Sequence, residues 1–313
     1  MQTKVGRKET AILAGVISTL SKEIGVTVFG VFTASDTIDF LSTHRSLSVL
    51  DTSKLATLAR RTVVNFACAV MLTLLHLSLH GLVKMYTWTI TENSISFLES
   101  TFERVLSYAH IQTVYIWRLL YLFKLSYDWG RPCVEHITAI SDLRNAGTLL
   151  LAVSMVGICV YALTQRNAVL MWSLTLVVVP LIPASNLFFP VGTILAERLL
   201  YVPSMGFCLF AGYLMAQLLD ENPAVGMGRV IKRGKHLLFT LLCVYTCLMG
   251  LKSRHRSSEW KNEGSLFESA LNVCPKSLNV LNNYAQLFLK TDPHCAIPFL
   301  GEWFLHLTPL NCL

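Results

Sequence analysis

The chain has 313 residues, of which 53% are hydrophobic and only 14% are charged, and its formal net charge is +7. An average soluble domain carries about 25% charged residues, so this composition argues against a water-soluble globule. The many apolar side chains also exclude an intrinsically disordered chain, which needs low hydrophobicity and high net charge. The apolar residues fall in blocks, and these blocks indicate the class of protein.

The blocks predict a polytopic membrane protein, because a spanning helix needs about 20 consecutive apolar residues. The first block, Ala11–Phe32, is interrupted by Lys22 and Glu23. Five further blocks are long enough to cross a bilayer or nearly so: Val63–Val83, Gly147–Thr164, Ala168–Phe189, Leu199–Leu219 and His236–Leu251. They lack the polar stripe that a soluble helix shows at helical period. We predict an all-α fold with a membrane bundle of six spans in residues 1–251.

A long segment at 84–146 separates the second predicted span from the third. Within it, Phe97–His110 predicts an amphipathic helix, and the apolar, aromatic stretch Ile111–Phe123 is too short to span. Its composition favours an interfacial or re-entrant element. Lys and Arg residues concentrate in the loops around 45–61 and 229–235, which predicts that these loops are cytosolic. Segment 84–146 and the tail then face the lumen, unless Ile111–Phe123 spans and reverses everything downstream.

Residues 252–313 have the composition of a soluble helical segment with a repeat signal. Pro275 and Pro309 are 34 residues apart, which is the tetratricopeptide period. Six residues fit the packing positions of such repeats: Phe267, Ala270, Leu281, Tyr284, Ala285 and Phe288. Pro298 falls inside the following helix and is expected to break it. We predict a short tetratricopeptide-like stub on the lumenal side.

Three polar features in or near the spans are candidate sites. Lys22 and Glu23 interrupt an apolar block, and charged groups in a membrane are expensive and usually functional; alternatively they mark a break between two short helices. His76 and His80 share a helix face, but without a visible third ligand packing is favoured over a metal site. Glu197–Arg198 opens the fifth span, where the two side chains neutralise one another or the arginine binds a phosphate oxygen.

Cysteine usage leaves the disulfide pattern open. Five of the nine cysteines lie within predicted spans, where cysteine usually acts as a small hydrophobic residue. The other four are predicted to be lumenal, where disulfides are permitted: Cys133, Cys274, Cys295 and Cys312. Their pairing does not follow from the sequence.

The stretch Pro183–Cys208 closely resembles the family of transmembrane O-mannosyltransferases targeting cadherins. Further matches follow in order along the chain at Leu20–Val28, Leu125–Trp129, Ile140–Asn145 and Trp260–Glu263. The loop matches include Asp128 and Trp129 in the first, and Asp142 and Arg144 in the second. The resemblance implies a membrane enzyme of the endoplasmic reticulum with a GT-C-type membrane domain. Such enzymes transfer mannose from dolichyl phosphate mannose to Ser or Thr of lumenal, cadherin-type acceptor domains.

The resemblance also implies a donor-binding site at the lumenal membrane surface. Arg198 is the expected phosphate ligand, with Glu197 holding its guanidinium and Tyr201 on the same helical face. Lys22 is a possible second cation, together with Glu23. No cofactor is expected besides dolichyl phosphate mannose as donor substrate, and the partners are that lipid, lumenal acceptor proteins and membrane lipids. No metal and no nucleic acid is expected.

The chain departs from the family pattern in its expected catalytic part. Family members have further spans before the segment matching Ala11, and a first lumenal loop with the acidic residues of the catalytic base. We therefore expect a truncated member, the C-terminal half of the membrane domain plus a repeat stub, that is inactive alone and whose catalytic residue is unknown. The first alternative is a non-catalytic scaffold that binds partners through its repeats. The second, less favoured alternative is a transporter.

Overall fold

The computed structural model describes residues 4–43, 52–80, 89–121, 124–219, 229–289 and 293–307. These ranges contain α-helices and short 3-10 turns and no β-strand, which confirms the predicted all-α class. The eleven α-helices are α1 Lys4–Ser21, α2 Thr27–Thr43, α3 Thr52–His80, α4 Thr101–Leu120, α5 Arg144–Thr164, α6 Ala168–Leu181, α7 Tyr201–Leu219, α8 Arg229–Glu259, α9 Glu263–Val273, α10 Leu278–Leu289 and α11 Pro293–Leu307.

Within the described ranges, five segments are long and apolar enough to cross a membrane. They are Ile24–Thr43, Thr52–Leu79, Arg144–Thr164, Glu197–Leu218 and Leu237–Glu259. Large apolar side chains on these helices remain exposed, such as Phe66 on α3 and Leu150 on α5. Such all-round hydrophobicity is typical of helices that face lipid, so the protein is a multi-pass membrane protein.

The chain breaks inside the predicted first span, Ala11–Phe32, so the continuous span is wrong and the alternative of a break between two helices at Lys22–Glu23 is confirmed. Helix α1 ends at Ser21, Lys22 has an extended backbone with φ −154° and ψ 135°, and a 3-10 turn at Glu23–Val26 leads into α2. Gly25 permits this break, since a Cβ there would lie 2.4 Å from the backbone of Ser18. The candidate span is shifted to Ile24–Thr43, and the lysine stands between two helices.

The predicted span Ala168–Phe189 is also shorter than expected. Helix α6 ends at Leu181 after 14 residues, and a 3-10 turn at Pro183–Ser185 follows. The nitrogens of Pro180 and Pro183 have no hydrogen to donate to a helical hydrogen bond. Asn186 then takes a left-handed backbone, with φ 59°, which ends the 3-10 turn.

One continuous helix, α4 at Thr101–Leu120, covers most of the two elements predicted at Phe97–His110 and Ile111–Phe123, while Phe97 ends a separate 3-10 turn. Ser100 caps its N-terminus by accepting a hydrogen bond from the Glu103 amide at 3.3 Å. Its buried side chains recur every three to four residues along one face: Ser107, Tyr108, Ile111, Tyr115 and Leu119. The buried face therefore continues from the amphipathic stretch into the apolar one, which is why both belong to a single helix.

The C-terminal segment with the repeat signal forms the helices α9, α10 and α11. Helix α10 packs against both α9 and α11. Helix α11 continues through Pro298, so the expected break at this proline is wrong. A proline removes one hydrogen-bond donor, and packing against α10 can hold such a helix together despite this loss. The assignment to tetratricopeptide repeats stays a prediction.

The chain divides into two compact units. The first comprises Met1–Thr87, Ala152–Phe188 and Tyr201–Phe210. In it, α2 packs against α3 and α6, and Gly30 permits a close approach, since a Cβ there would lie 2.8 Å from Val179. An ion pair of 2.9 Å joins Arg61 on α3 to Asp36 on α2.

The second unit comprises Trp88–Leu151, Phe189–Leu200 and Ala211–Leu313. A disulfide joins Cys133 in the loop before α5 to Cys274 after α9, which resolves one pairing that the sequence left open. The Leu278 amide donates to the Arg131 carbonyl at 3.0 Å across the same junction. Residues 252–313 thus share a unit with residues 88–146 of the predicted loop, and the predicted domain boundary at residue 251 stays a prediction.

Candidate functional site

Glu197 is the centre of a hydrogen-bond network in the second unit. Its Oε1 accepts the Ser126 backbone N–H at 3.0 Å and the indole N–H of Trp129 at 2.8 Å. The predicted role of Glu197 as a clamp on Arg198 is not what the geometry shows. The 3-10 turn at Glu197–Leu200 places the carboxylate toward the Leu125–Trp129 segment while Arg198 is exposed. Glu197 is therefore a positioning residue for that loop segment.

Trp129 is buried and is held on a second side by an arginine that the sequence analysis missed. The guanidinium carbon of Arg118 lies 4.1 Å from the centre of the Trp129 ring, within the range of a cation–π interaction. Arg118 also donates a hydrogen bond to the Lys124 carbonyl. Trp129 is only 7% exposed, so this ring is part of the packed core of the unit rather than a free surface.

Asp128 and Tyr127 fasten the same segment to the C-terminal helices. The Oδ2 atom of Asp128 accepts the Gly130 amide at 3.1 Å and the Ser277 hydroxyl at 3.4 Å. The Tyr127 hydroxyl accepts from the Asn283 side chain at 3.0 Å, and burial raises the pKa of Tyr127 to about 12. In this arrangement Asp128 shapes the loop.

Asp142 and Arg144 form a close pair at the start of α5. The arginine Nε lies 3.0 Å from both carboxylate oxygens, and Nη2 lies 2.6 Å from Oδ2. Hydrogen bonds from the Arg144 side chain lower the pKa of Asp142 to about 2. Arg144 also donates to the carbonyls of Glu135 and His136, so the pair braces the loop against α5.

The remaining predicted donor residues stand apart from these networks. Arg198 and Tyr201 are exposed, and Tyr201 is 71% accessible. Lys22 is exposed at the break between α1 and the following 3-10 turn, in the first unit. The side chain of Glu23 lies outside the described residues. Their role in donor binding stays a prediction.

The sequence led us to expect no metal site, and this expectation stays a prediction. Over the described ranges, no cluster of three or more His, Cys, Asp or Glu side chains has the spacing for a metal ion. His76 lies on α3, and the side chain of His80 is outside the described part of the chain.

A cavity of about 310 Å³ lies beside the Trp129 network in the second unit. Its walls come from α4, the loop at 129–135, the start of α5 and Leu195. The polar side chains that line it are His110, Arg118, Glu135 and Arg144. Among the described residues, the Nδ1 of His110 and the Nε of Arg118 are buried and have no hydrogen-bond partner. Burial lowers the pKa of His110, which favours its neutral form.

Tyr115 is a further buried polar group that the sequence analysis did not single out. Its hydroxyl accepts the Ala196 amide at 3.0 Å and so fixes the chain just before Glu197. Burial raises the pKa of Tyr115 to about 12. Tyr108, Ile111 and Tyr115 share the three- and four-residue spacing of a helix face, and this spacing is the signal by which the sequence identifies the buried side of α4.

The fold and these networks define a multi-pass helical membrane protein whose loop before α5 builds a braced, partly polar cavity. The model of the family described as protein O-mannosyl-transferase TMTC, DUF1736, matches residues 83–156. This match covers α4, the loop and the first part of α5, which contribute most of the cavity wall.

The curated relatives agree with the family model. Protein O-mannosyl-transferase TMTC4 of Mus musculus is 29% identical over 294 residues, covering 87% of this chain and 38% of that protein. TMTC4 of Homo sapiens is 33% identical over 200 residues, covering 63% and 26%. TMTC3 of Homo sapiens is 31% identical over 283 residues, covering 85% and 29%.

The resemblance to this family is therefore confirmed: the chain is related, over most of its length, to the TMTC protein O-mannosyl-transferases. It spans between about a quarter and two fifths of the length of these three relatives. No solved structure matches the chain at a comparable level of significance.

Proposed function

We propose that this chain is part of a protein O-mannosyl-transferase of the endoplasmic reticulum membrane. It takes part in the transfer of mannose from dolichyl phosphate mannose to Ser or Thr of lumenal acceptor domains, with cadherin-type domains as the expected class. One observation carries the proposal: the family match covers the helix, the loop and the α5 segment that build the braced cavity.

Within this function, Arg198 is the proposed ligand of the donor phosphate. A dolichyl phosphate keeps its phosphate at the membrane surface and its tail in the bilayer, so its site needs a cation at the end of a span. Arg198 is exposed at the beginning of the candidate span Glu197–Leu218. Glu197 bonds to Ser126 and Trp129 and does not pair with this arginine, which supports an available guanidinium fork.

The test is direct binding of dolichyl phosphate mannose to the purified chain in lipid vesicles, with the donor labelled in its mannose. A charge-assisted hydrogen bond is worth about 1.5 to 3 kcal/mol. Arg198→Ala is therefore expected to weaken donor binding by roughly 10- to 100-fold. Arg198→Lys should recover part of the affinity, because a lysine keeps the charge but loses the planar fork.

Arg254→Ala is the matched control, since it removes another exposed arginine, near the C-terminal end of α8. It should leave donor affinity unchanged. If Arg198→Ala lowers the melting temperature and keeps the donor affinity, Arg198 is a structural residue and the proposed site is wrong. If no variant and no wild-type chain binds the donor, the scaffold alternative replaces the enzyme proposal.

A further inference from the structure

We propose that the first unit is a surface for a locally thinned bilayer, in which phospholipid headgroups of the predicted lumenal leaflet sink toward Lys22. Helices α1 and α2 pack as an antiparallel hairpin with Lys22 at its tip. Close to the tip, a Cβ at Gly25 would lie 2.4 Å from the Ser18 backbone. Further from it, a Cβ at Gly15 would lie 3.0 Å from Val28. Both helices therefore leave the tip in the same direction.

The contacts between α2 and α3 show how deep this tip reaches. Arg61 of α3 pairs with Asp36 of α2 at 2.9 Å. Nearer the tip, the Asn65 side chain donates to the Thr33 hydroxyl at 3.2 Å. These two helices are therefore antiparallel as well, and depth along α2 can be compared with depth along α3.

Two exposed arginines mark one boundary of the membrane. Arg60 and Arg61 are both exposed, and the Arg61 side chain is 47% accessible despite its ion pair. Charges as open as these are expensive in hydrocarbon, so the boundary lies at their level. From Arg61 to His80, α3 covers about 29 Å at 1.5 Å per residue, which matches a hydrocarbon core of about 30 Å.

The hairpin is shorter than this thickness. From Asp36 to Lys22 the chain covers about 21 to 23 Å, at 1.5 Å per α-helical residue and 2.0 Å in the 3-10 turn. Its tip thus stops about 7 to 9 Å short of the opposite boundary. Lys22 is exposed, and its side chain can snorkel over part of this distance. Thinning of the bilayer closes the rest at modest cost.

Helix α6 ends at the same depth, which is an independent observation. The Arg166 guanidinium donates to the Leu41 carbonyl near the end of α2 at 3.1 Å. Toward the other end of α6, a Cβ at Gly30 would lie 2.8 Å from Val179. The two helices are therefore antiparallel, and Leu181, the last residue of α6, is level with the beginning of α2. Two packed elements stop short together, so the thinning covers a patch of the unit.

The first test measures the melting temperature of the purified 313-residue chain in vesicles of phosphatidylcholines with monounsaturated chains of 14 to 22 carbons. We expect the wild type to be most stable at 14 or 16 carbons and to lose roughly 5 °C toward 22 carbons. Lys22→Leu should lose at most half as much, because leucine needs no water at the tip. Lys22→Arg keeps the charge and should follow the wild type. Lys54→Leu, at an exposed lysine near the beginning of α3, is the matched control and should keep the full loss.

The second test locates the N-terminus, since a hairpin brings the beginning of α1 to the side of the segment that joins α2 to α3. That segment is predicted to be cytosolic, and α1 also begins with basic residues. An epitope fused ahead of Met1 should therefore be cleaved when protease is added to intact microsomes.

The proposal is overturned if the epitope is protected, if the wild type is most stable at 18 carbons or more, or if Lys22→Leu keeps the full loss. Lys22 is exposed at a break between helices, so its substitution is expected to leave the fold intact. Neither measurement needs donor lipid or mannose transfer. Failure here is therefore distinguishable from a failure of the proposed function, which rests on Arg198 and the labelled donor.

Discussion

Single residues in the second unit act mainly through the backbone they hold in place. Glu197 accepts one hydrogen bond from the Ser126 backbone and one from the Trp129 indole, and both donors belong to the same five-residue segment. A carboxylate with two short hydrogen bonds is hard to replace, because its removal leaves both donors unsatisfied in a mostly buried place. Loss of Glu197 is thus expected to make the cavity wall around Trp129 less rigid, although Glu197 itself does not line the cavity.

Glu197→Ala tests this positioning role. Alanine has no side-chain oxygen, so the Ser126 amide and the Trp129 indole N–H both lose their acceptor. We expect a loss of about 1 to 3 kcal/mol in the free energy of unfolding, seen as a lower melting temperature. Glu268→Ala, at an exposed position of α9, is the matched control and should have no effect. Equal melting temperatures for both variants would refute the network.

His110 makes a second prediction at this scale, on the pH dependence of stability. Burial and the charge of Arg144 lower its pKa, while Asp142 opposes this shift. The folded state therefore favours the neutral imidazole, and its contribution to stability is full above the unfolded pKa of about 6.5. That contribution is lost as the pH falls through the lowered folded-state pKa.

The measurement is the melting temperature of the wild type and of His110→Gln between pH 7.5 and pH 5. The wild type should lose more stability on acidification than the variant, because glutamine has no proton to take up. His136→Gln, which alters an exposed histidine, should follow the wild type. Parallel curves for the wild type and His110→Gln would show that His110 does not titrate differently in the folded state.

At the scale of elements, the two sides of helix α4 differ in their exposure. One face is buried in the second unit, and the other exposes Phe102, Val105, Trp117 and Leu120. Trp117 also stacks on Tyr121, with ring centres 5.8 Å apart. Aromatic residues of this kind concentrate at membrane interfaces, where a ring meets both apolar and polar surroundings. We therefore expect α4 to lie along the membrane surface with this face toward the lipid.

Quenching by brominated lipids tests the orientation of α4. Trp117 is 57% exposed, and the apolar, exposed Leu120 lies three residues further along the helix. Trp117→Phe should remove a measurable part of the tryptophan quenching in reconstituted vesicles. Trp260→Phe changes a residue of equal exposure, 58%, that follows the basic end of α8 and should remove little. If the two variants lose the same share of quenching, α4 is not an interfacial helix.

At the scale of the whole molecule, the second unit constrains the topology of the chain. The disulfide and the hydrogen bond from Leu278 to Arg131 join the loop before α5 to the C-terminal helices. Both segments must therefore lie on the same side of the membrane, and a disulfide persists on an oxidising side. Three candidate spans lie between these segments, and an even number of crossings is needed to bring both to one side. We therefore expect the shorter apolar helix α6 to cross as well, as in the six-span prediction that places both segments in the lumen.

Glycosylation mapping tests the orientation. An engineered acceptor site near Lys276, in the turn between α9 and α10, should be modified when the chain is made in microsomes. An acceptor near Lys232, at the beginning of α8, should not be modified, because that end of the helix is expected in the cytosol. Modification at Lys232 alone would reverse the predicted orientation of the chain.

The sequence by itself determined the all-α class, the membrane blocks and the family, since hydrophobic blocks and ordered motifs survive without knowledge of contacts. The family resemblance in the sequence also identified Trp129, Asp142 and Arg144 as residues of interest. Only the tertiary structure decided where helices end, as at Lys22 and after Pro180, because these ends depend on turns that set backbone angles. Only the tertiary structure brought Glu197 together with Ser126 and Trp129, which lie 71 and 68 residues away in the chain. Contacts of this kind depend on how the helices and loops pack, and they leave no periodic pattern in the sequence.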